Sequence, residues 1–414
     1  MIDHLKKYWI CIYPHVYAIN KNDKYFLYNT QNGLASETEN EICLSLVKEI
    51  YEKHNLGVIE LNNKYKNSSV CCNFIEEVIK KNIGGIEIIQ ADKGKPIVLL
   101  PILNLQRDVD KMKGKDESLI GDNLLTYLNE INIYLNDNCD LDCEFCQAYS
   151  LQTIFCMKRG KDILKPDIID RVLSQAQFSS LSNVNFLGGN IFLYPHWDEL
   201  QQILTKYDYK YHFWAHYKTF NPSLVLGNKI DKYYDVLINF PVEIKLIEKN
   251  LQKNFNREDT TFRFLIESES DYLMVDDWIS KYKLKKYKII PFYNGLNYDF
   301  FKDNVFMEKR DITSSPVTFQ KIFCNQKLNS NNFGKLYILP DGKVKANLNK
   351  NDIGNIHTDL LLRIIYEELI TNTAWRNIRN SVPCTGCFYQ HLCPPPSNYE
   401  IAIGKPNLCH MNNY

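Results

Sequence analysis

The chain has no excess of charge: 49 basic residues offset 49 acidic ones. No global field therefore draws it to nucleic acid or to an anionic membrane surface, and neither is an expected partner. Long apolar runs are also missing, because Lys, Asp or Asn interrupts the most apolar segments well short of membrane thickness. With no basic start leading into an extended apolar stretch, a cytoplasmic location is expected. Internal repeats, low-complexity tracts, a Walker loop, an HExxH pair and a nucleophile elbow are all absent, so none of the chemistries those motifs carry is indicated.

What is present is enough apolar residue for two or three cores, at 45% of 414 residues. Thirteen cysteines without an export signal, and clustered rather than spread, favour metal or cluster ligation over disulfides. Cys11, Cys43, Cys71, Cys72, Cys156 and Cys324 lie outside the clusters and read as buried small hydrophobes.

Residues 1–107 read as strands and then helices. YWICIYPHVYAI and KYFLYN form a hairpin across the polar turn Asn20 to Asp23. A helix is expected over Thr38 to His54, with Thr38 and Glu41 at capping-box spacing. A second helix over Cys72 to Lys81 leads into the strand-like GIEIIQ. Residues 108–125 contain the charged stretch DVDKMKGKDES and are assigned as a linker. From 126 to 315, β-type runs (EINIYLN, VNFLGG, YKYHFWAHY, VEIKLIE, TTFRFLIES, YKIIPFYNG) alternate with helical stretches such as PDIIDRVLSQAQF and HWDELQQILTKY. Such alternation predicts parallel strands joined by helices, in an α/β partial barrel or open sheet too short for eight strands. Residues 316–414 change texture: KLYILPDGKVKANLN is a hairpin turning at Asp341 and Gly342, LLLRIIYEELI is a helix, and the tail from Pro383 is rich in Cys and Pro.

The segment NDNCDLDCEFC follows the first of these strands with spacing Cys-x3-Cys-x2-Cys. Cys139, Cys143 and Cys146 can wrap one corner of an iron cubane and leave the fourth iron open. The alternative is a zinc site completed by a distant Cys or His. In the tail, Cys384-x2-Cys387-x5-Cys393 with Cys409 supplies four thiolates, and the residues alone leave zinc and a fully ligated cluster equally open.

The first spacing, at the end of the first strand, resembles the radical SAM superfamily over residues 126 to 300. The resemblance implies a partial (β/α)6 barrel, a 4Fe-4S cluster on Cys139, Cys143 and Cys146, and S-adenosyl-L-methionine chelated at the open iron and cleaved to a 5'-deoxyadenosyl radical. It sets Phe145 beside the adenine, and Gly188, Gly189 and Asn190 near the methionine amino group. Family members commonly carry Glu and Pro where this chain has Asn190 and Ile191. The tail is similar to the SPASM extension of peptide-modifying members, which implies a second, auxiliary 4Fe-4S cluster on Cys384, Cys387, Cys393 and Cys409. The pattern for a further cluster would draw on Cys324, but Asn347 and Ser397 stand where it needs cysteine, so two clusters are expected.

The N-terminal module resembles the small α+β, winged-helix-like domain that binds a leader peptide by strand addition. The whole arrangement resembles Bacteroidales-type maturases of Gly-Gly-leader ribosomal peptides, including a pseudo-radical-SAM subgroup. This implies a precursor peptide as substrate and an electron donor such as a flavodoxin or ferredoxin. Two hypotheses follow: an enzyme leading to a crosslink, epimerisation or oxidation, or a catalytically quiet partner that presents the precursor. His212, His216, Glu267 and Tyr293 are strand-end candidates for proton or hydrogen transfer, each more often a satisfied core or surface residue. Cys156 reads as inert.

Overall fold

The computed structural model describes residues 3, 5–100, 124–141, 143–156, 160–222, 230–254 and 257–411. The expected linker lies, up to residue 123, outside the described residues.

The N-terminal segment builds two small antiparallel sheets. Strand β1 (Tyr8–Ile12) is followed by β2 (Val16–Lys21), β3 (Lys24–Asn29), β4 (Ala35–Thr38), β5 (Val58–Glu60) and β6 (Gly84–Ile88). The sheet orders are β5-β1-β6 and β2-β3-β4. YWICIYPHVYAI, expected as one strand, therefore breaks between β1 and β2, whose halves join different sheets. Pro14 sits in the break and has no N–H to give a ladder. The turn Asn22-Asp23 takes φ of 51° and 57° at its two residues, the left-handed pair a tight hairpin needs.

The helix expected from Thr38 begins later, at Glu41–Ile50, capped by Asn40, whose Oδ1 accepts from Ile42 N at 3.1 Å. Thr38 instead ends β4, paired with Tyr25. The next long helix, Ser69–Lys80, starts three residues before the expected Cys72 because Ser68 caps it. Its apolar face and that of Glu41–Ile50 bury Leu46, Val47, Ile50, Phe74, Ile75 and Val78 against β1.

The central sheet has nine strands. β7 (Glu130–Asn136), β8 (Asn183–Gly188), β9 (Lys210–His216), β10 (Lys232–Asn239), β11 (Thr260–Ile266) and β12 (Tyr287–Pro291) are parallel and neighbours in chain order. On the other side of β7 lie β13 (Lys335–Ile338), parallel to it, then β14 (Lys343–Lys345), antiparallel to β13, and β15 (Gly354–Asn355), antiparallel to β14. The hairpin at Asp341 and Gly342 is thus part of the main sheet, with Gly342 at φ +85°.

One expected strand is wrong. VEIKLIE lies in and just before the helix Ile244–Asn254, where Ile247 and Leu251, four apart, are buried. The strand in that unit is instead KYYDVLIN, β10, whose polar Asp235 interrupts the apolar run.

Both faces of the parallel strands are covered, as a parallel sheet requires. On one, Ile131, Ile133, Leu135, Val184 and Phe186 pack with Ile169, Val172 and Leu173 of the helix Pro166–Ala176. On the other, Tyr134, Leu187, Trp214, Leu237 and Leu265 meet Tyr149, Phe155 and Cys156 from the segment after β7. That segment crosses the carboxyl ends of the strands, where ligands of α/β sheets bind.

Candidate metal centre

The cysteine loop is held by the turn that ends β8. Gly189 N donates to Asn136 O at 3.0 Å, Asn190 N to Asn138 O at 2.7 Å, and Asn136 Nδ2 to Asn190 O at 3.2 Å. A Cβ on Gly189 would stand 2.2 Å from Asn138 O and 3.0 Å from Cys139 Cβ, so glycine is needed for the loop to lie this close. Asn190 is buried; its Oδ1 accepts from Phe192 N at 3.1 Å and its Nδ2 donates to Asp140 Oδ1 at 3.2 Å. The amide is thus occupied within the protein.

Cys139 is buried, and Leu141 N donates to its Sγ at 3.4 Å. Cys143 and Cys146 are partly exposed. Phe145 precedes the helix Cys146–Gln152 and sets its ring edge-on to Phe292, 5.8 Å between centroids. Gln152 ties this helix to the end of β12, donating to Tyr293 O at 2.8 Å and accepting from Tyr293 N at 2.6 Å. The first and last of the six parallel strands are therefore linked above the loop.

A fourth cysteine joins the three. Cys156, only 4% exposed, lies in the same buried cluster as Cys143, Phe145 and Cys146, and its Sγ donates to Gly188 O at 3.7 Å. The Cys146 thiol, followed by burial, pushes the Cys156 thiol well above the ordinary value. The sequence offered no sign of this, because ten residues separate Cys156 from Cys146 and only the fold brings it back.

Near these sulfurs, several buried polar atoms have no hydrogen-bond partner among the described residues: the Tyr134 and Tyr149 hydroxyls, Asn136 Oδ1 and Glu267 Oε1. Natural proteins seldom leave such atoms orphaned, and each calls for an explanation such as a bound group. Burial raises the Glu267 carboxyl, against the hydrogen bond Asn294 Nδ2 donates to it at 2.7 Å.

The other strand-end candidates are placed differently. His216 is buried, shares a 2.6 Å hydrogen bond with Asn239 Oδ1, and is lowered by burial to about 4. His212 meets Asp235, which also binds Arg263 at 2.7 Å. Burial alone would raise Asp235, but His212 and Arg263 together hold it below the carboxylate range. His212 thus belongs to an internal ion cluster rather than to the cysteine loop. Tyr293 packs edge-on against Phe301.

In the tail, Cys384, Cys387, Cys393 and Cys409 line one small cavity of about 50 Å³, partly open to solvent, together with Met307, Leu408 and Met411. Tyr389 N donates to Cys387 Sγ at 3.4 Å and Asn407 Nδ2 to Cys409 Sγ at 3.0 Å. Burial raises Cys393 to about 12, with Arg379 pulling the other way. Two cations serve this site: Arg379, bound to Glu400 at 2.8 Å, and Lys21 from β2, which donates to Thr385 O and Cys387 O at 2.7 and 2.8 Å.

Among the described residues no three His, Cys, Asp or Glu side chains converge on a point that would hold a metal ion. The tail sulfurs line a common cavity instead, and a donor set of four thiols fits either a tetrahedral ion or a fully ligated cluster. Cys324 lies in the helix Phe319–Lys327. Asn347 is buried and donates to Asn332 Oδ1 and Asn398 Oδ1 at 3.0 and 2.7 Å, while Ser397 caps the helix Asn398–Ile403.

No family model matches the chain, and no curated protein does. Among solved structures it is similar to Streptococcus suis SuiB bound to precursor peptide SuiA, at 15% identity over 97% of this chain and 99% of that one, TM-score 0.48. SuiB bound to S-adenosylmethionine scores 0.45 at 15% identity and the same coverage. Native anSMEcpe with bound AdoMet scores 0.43 at 13% identity, covering 64% of this chain and 87% of that one. Likeness this distant assigns neither a family nor an activity.

Proposed function

We propose that the chain is a radical SAM maturase of a ribosomally made peptide. Cys139, Cys143 and Cys146 would hold a 4Fe-4S cluster, and Cys384, Cys387, Cys393 and Cys409 an auxiliary one. The observation that carries this reading is the position of the cysteine loop: it caps the first of six parallel strands and presses on a glycine turn at the end of the second. The donor sets fit the clusters. When bound, the first cluster with S-adenosyl-L-methionine supplies a 5'-deoxyadenosyl radical for hydrogen-atom abstraction from the peptide.

The chain's own residues position and enclose. Phe145, backed by Phe292, would offer a ring to an adenine; Gly188 to Asn190 fix the loop; Tyr134, Tyr149 and Phe155 pack in one cluster with the loop cysteines. In the N-terminal module no strand among the described residues pairs with the outer edge of β6, which runs beside the helix Ser69–Lys80. A leader peptide extending that edge would gain main-chain hydrogen bonds. Residues 1–107, 126–315 and 316–414 would then serve as recognition, barrel and cluster domains, with a flavodoxin or ferredoxin as electron donor.

A second reading, a quiet partner that presents the precursor, is favoured by Asn190, whose side chain is already committed to Asp140 and Phe192. Anaerobic incubation with S-adenosyl-L-methionine and a strong reductant separates the two. Formation of 5'-deoxyadenosine supports the enzyme, and its absence from protein with an intact loop cluster supports the partner.

A further inference from the structure

Beside the cysteine tail lies a larger cavity, of about 280 Å³, for which the proposed function has no use. Asn332, Asn347, Lys350, Asn398 and Glu400 help to line it, and no cysteine or histidine among the described residues does, so it is not a thiolate or imidazole metal site. Its amides point in a fixed direction. The Asn349 backbone N–H, which can only donate, gives its hydrogen to Asn347 Oδ1 at 2.9 Å. Asn347 therefore turns its Nδ2 to its neighbours and donates to Asn332 Oδ1 at 3.0 Å and to Asn398 Oδ1 at 2.7 Å. With both oxygens taken, Asn332 and Asn398 each keep an NH2 group that has no partner among the described residues. Asn332 is only 8% exposed, and an amide nitrogen left unpaired at that depth calls for a bound group.

The charges point the same way. Glu400 lines the cavity but its carboxylate is fully engaged: Oε1 accepts from Arg379 at 2.8 Å, and Oε2 from Ser397 N and Oγ at 2.9 and 2.6 Å. Lys405 gives its ammonium to Tyr298 Oη. The Lys350 ammonium has no hydrogen-bond or ion-pair partner among the described residues, and Asp352, two residues on, is bound to Lys345 at 3.2 Å. The wall amides Asn377 and Asn380 have no side-chain hydrogen bond among the described residues and can turn either end inward.

We propose that this cavity binds a small molecule through an oxyanion, a phosphate or a carboxylate, with Asn332 Nδ2 and Asn398 Nδ2 as donors and Lys350 as the counter-charge. An oxyanion accepts from all three without a hydrogen of its own to place, and hydrogen bonds to an ionised group are the stronger kind. The volume, many times the share of one water, leaves room for an organic body behind the anionic head. Binding here is independent of what the cysteines hold. Asn398 opens the helix Asn398–Ile403, which packs on the helix Cys146–Gln152, and the Arg379–Glu400 pair joins this cavity to that of the tail cysteines. An occupant thus adjoins both cysteine sets.

The test is isothermal titration calorimetry of the full, anaerobically purified chain with inorganic phosphate, succinate and, as the uncharged control, succinamide, at constant ionic strength. Saturable binding of phosphate or succinate, and none of succinamide, is expected; the tighter of the two anions identifies the head group. Asn332→Asp and Asn398→Asp keep the oxygen that Asn347 needs and put a negative oxygen in place of each NH2 group. Each should weaken binding at least about tenfold. Lys350→Gln, on a partly exposed side chain, should weaken it without moving the thermal midpoint, and it tests the site even where a buried aspartate prevents folding. Absence of saturable heat from both anions at millimolar concentration would overturn the proposal. So would equal affinity in the wild type, Asn398→Asp and Lys350→Gln, which would put the anion elsewhere on the chain.

Discussion

His216 carries a pH dependence that belongs to one side chain. It is buried, and burial lowers it from the ordinary 6.5 to about 4. As pH falls from about 6.5 to about 4, the unfolded chain takes up a proton that the folded chain refuses. Stability is therefore full above this window and drops through it, by about 3 kcal/mol at roughly 1.4 kcal/mol per unit. Denaturant midpoints across that range should show the loss, and His216→Gln should flatten it; an unchanged slope in the variant would remove His216 as the cause. At this scale the sequence was readable where partners are neighbours in the chain. Cys139, Cys143 and Cys146 share one loop, and Cys384, Cys387 and Cys393 another, so their spacing alone grouped them. Cys156 and Asp235 were illegible because what defines them, Cys146 for one and Arg263 with His212 for the other, comes from a different turn or strand.

Among the elements, periodicity identified most strands and helices, while their boundaries followed local chemistry that periodicity does not see. Asn40, not Thr38, caps the first helix, since Thr38 is held in β4 by pairing with Tyr25. Asn40→Ala should cost about 1 kcal/mol, as cap removals do, whereas Thr38→Ala should leave that helix's capping intact. Thermal unfolding of the two variants checks the assignment, and a larger loss of helical signal for Thr38→Ala would contradict it. VEIKLIE was misread because a short apolar run fits either period. Only the burial of Ile247 and Leu251 on one helical face decides it. The break at Pro14 and the strand β4 were missed because local propensity does not say which sheet a strand joins.

Across the whole molecule, the N-terminal module is fastened to the cysteine tail. Phe26 of β3 stacks on Phe388 at 5.6 Å between centroids and meets Tyr389 edge-on, while Lys21 bonds to the backbone on either side of Gly386. Composition and spacing divided the chain into modules but gave no hint of this contact, since it joins residues at opposite ends of the chain. Lys21→Met removes a cation and three hydrogen bonds, to Thr385 O, Cys387 O and Gln390 Oε1, from the tail cavity. Iron per chain should then fall from about eight toward about four while the loop cluster's signal persists; unchanged iron would show that the tail holds its cluster unaided. The account as a whole depends on both cysteine sets holding cubanes, and the most direct measurement is iron, acid-labile sulfide and zinc on anaerobically purified protein. About eight irons with matching sulfide per chain is the predicted result, and zinc in place of iron at both sets would contradict it.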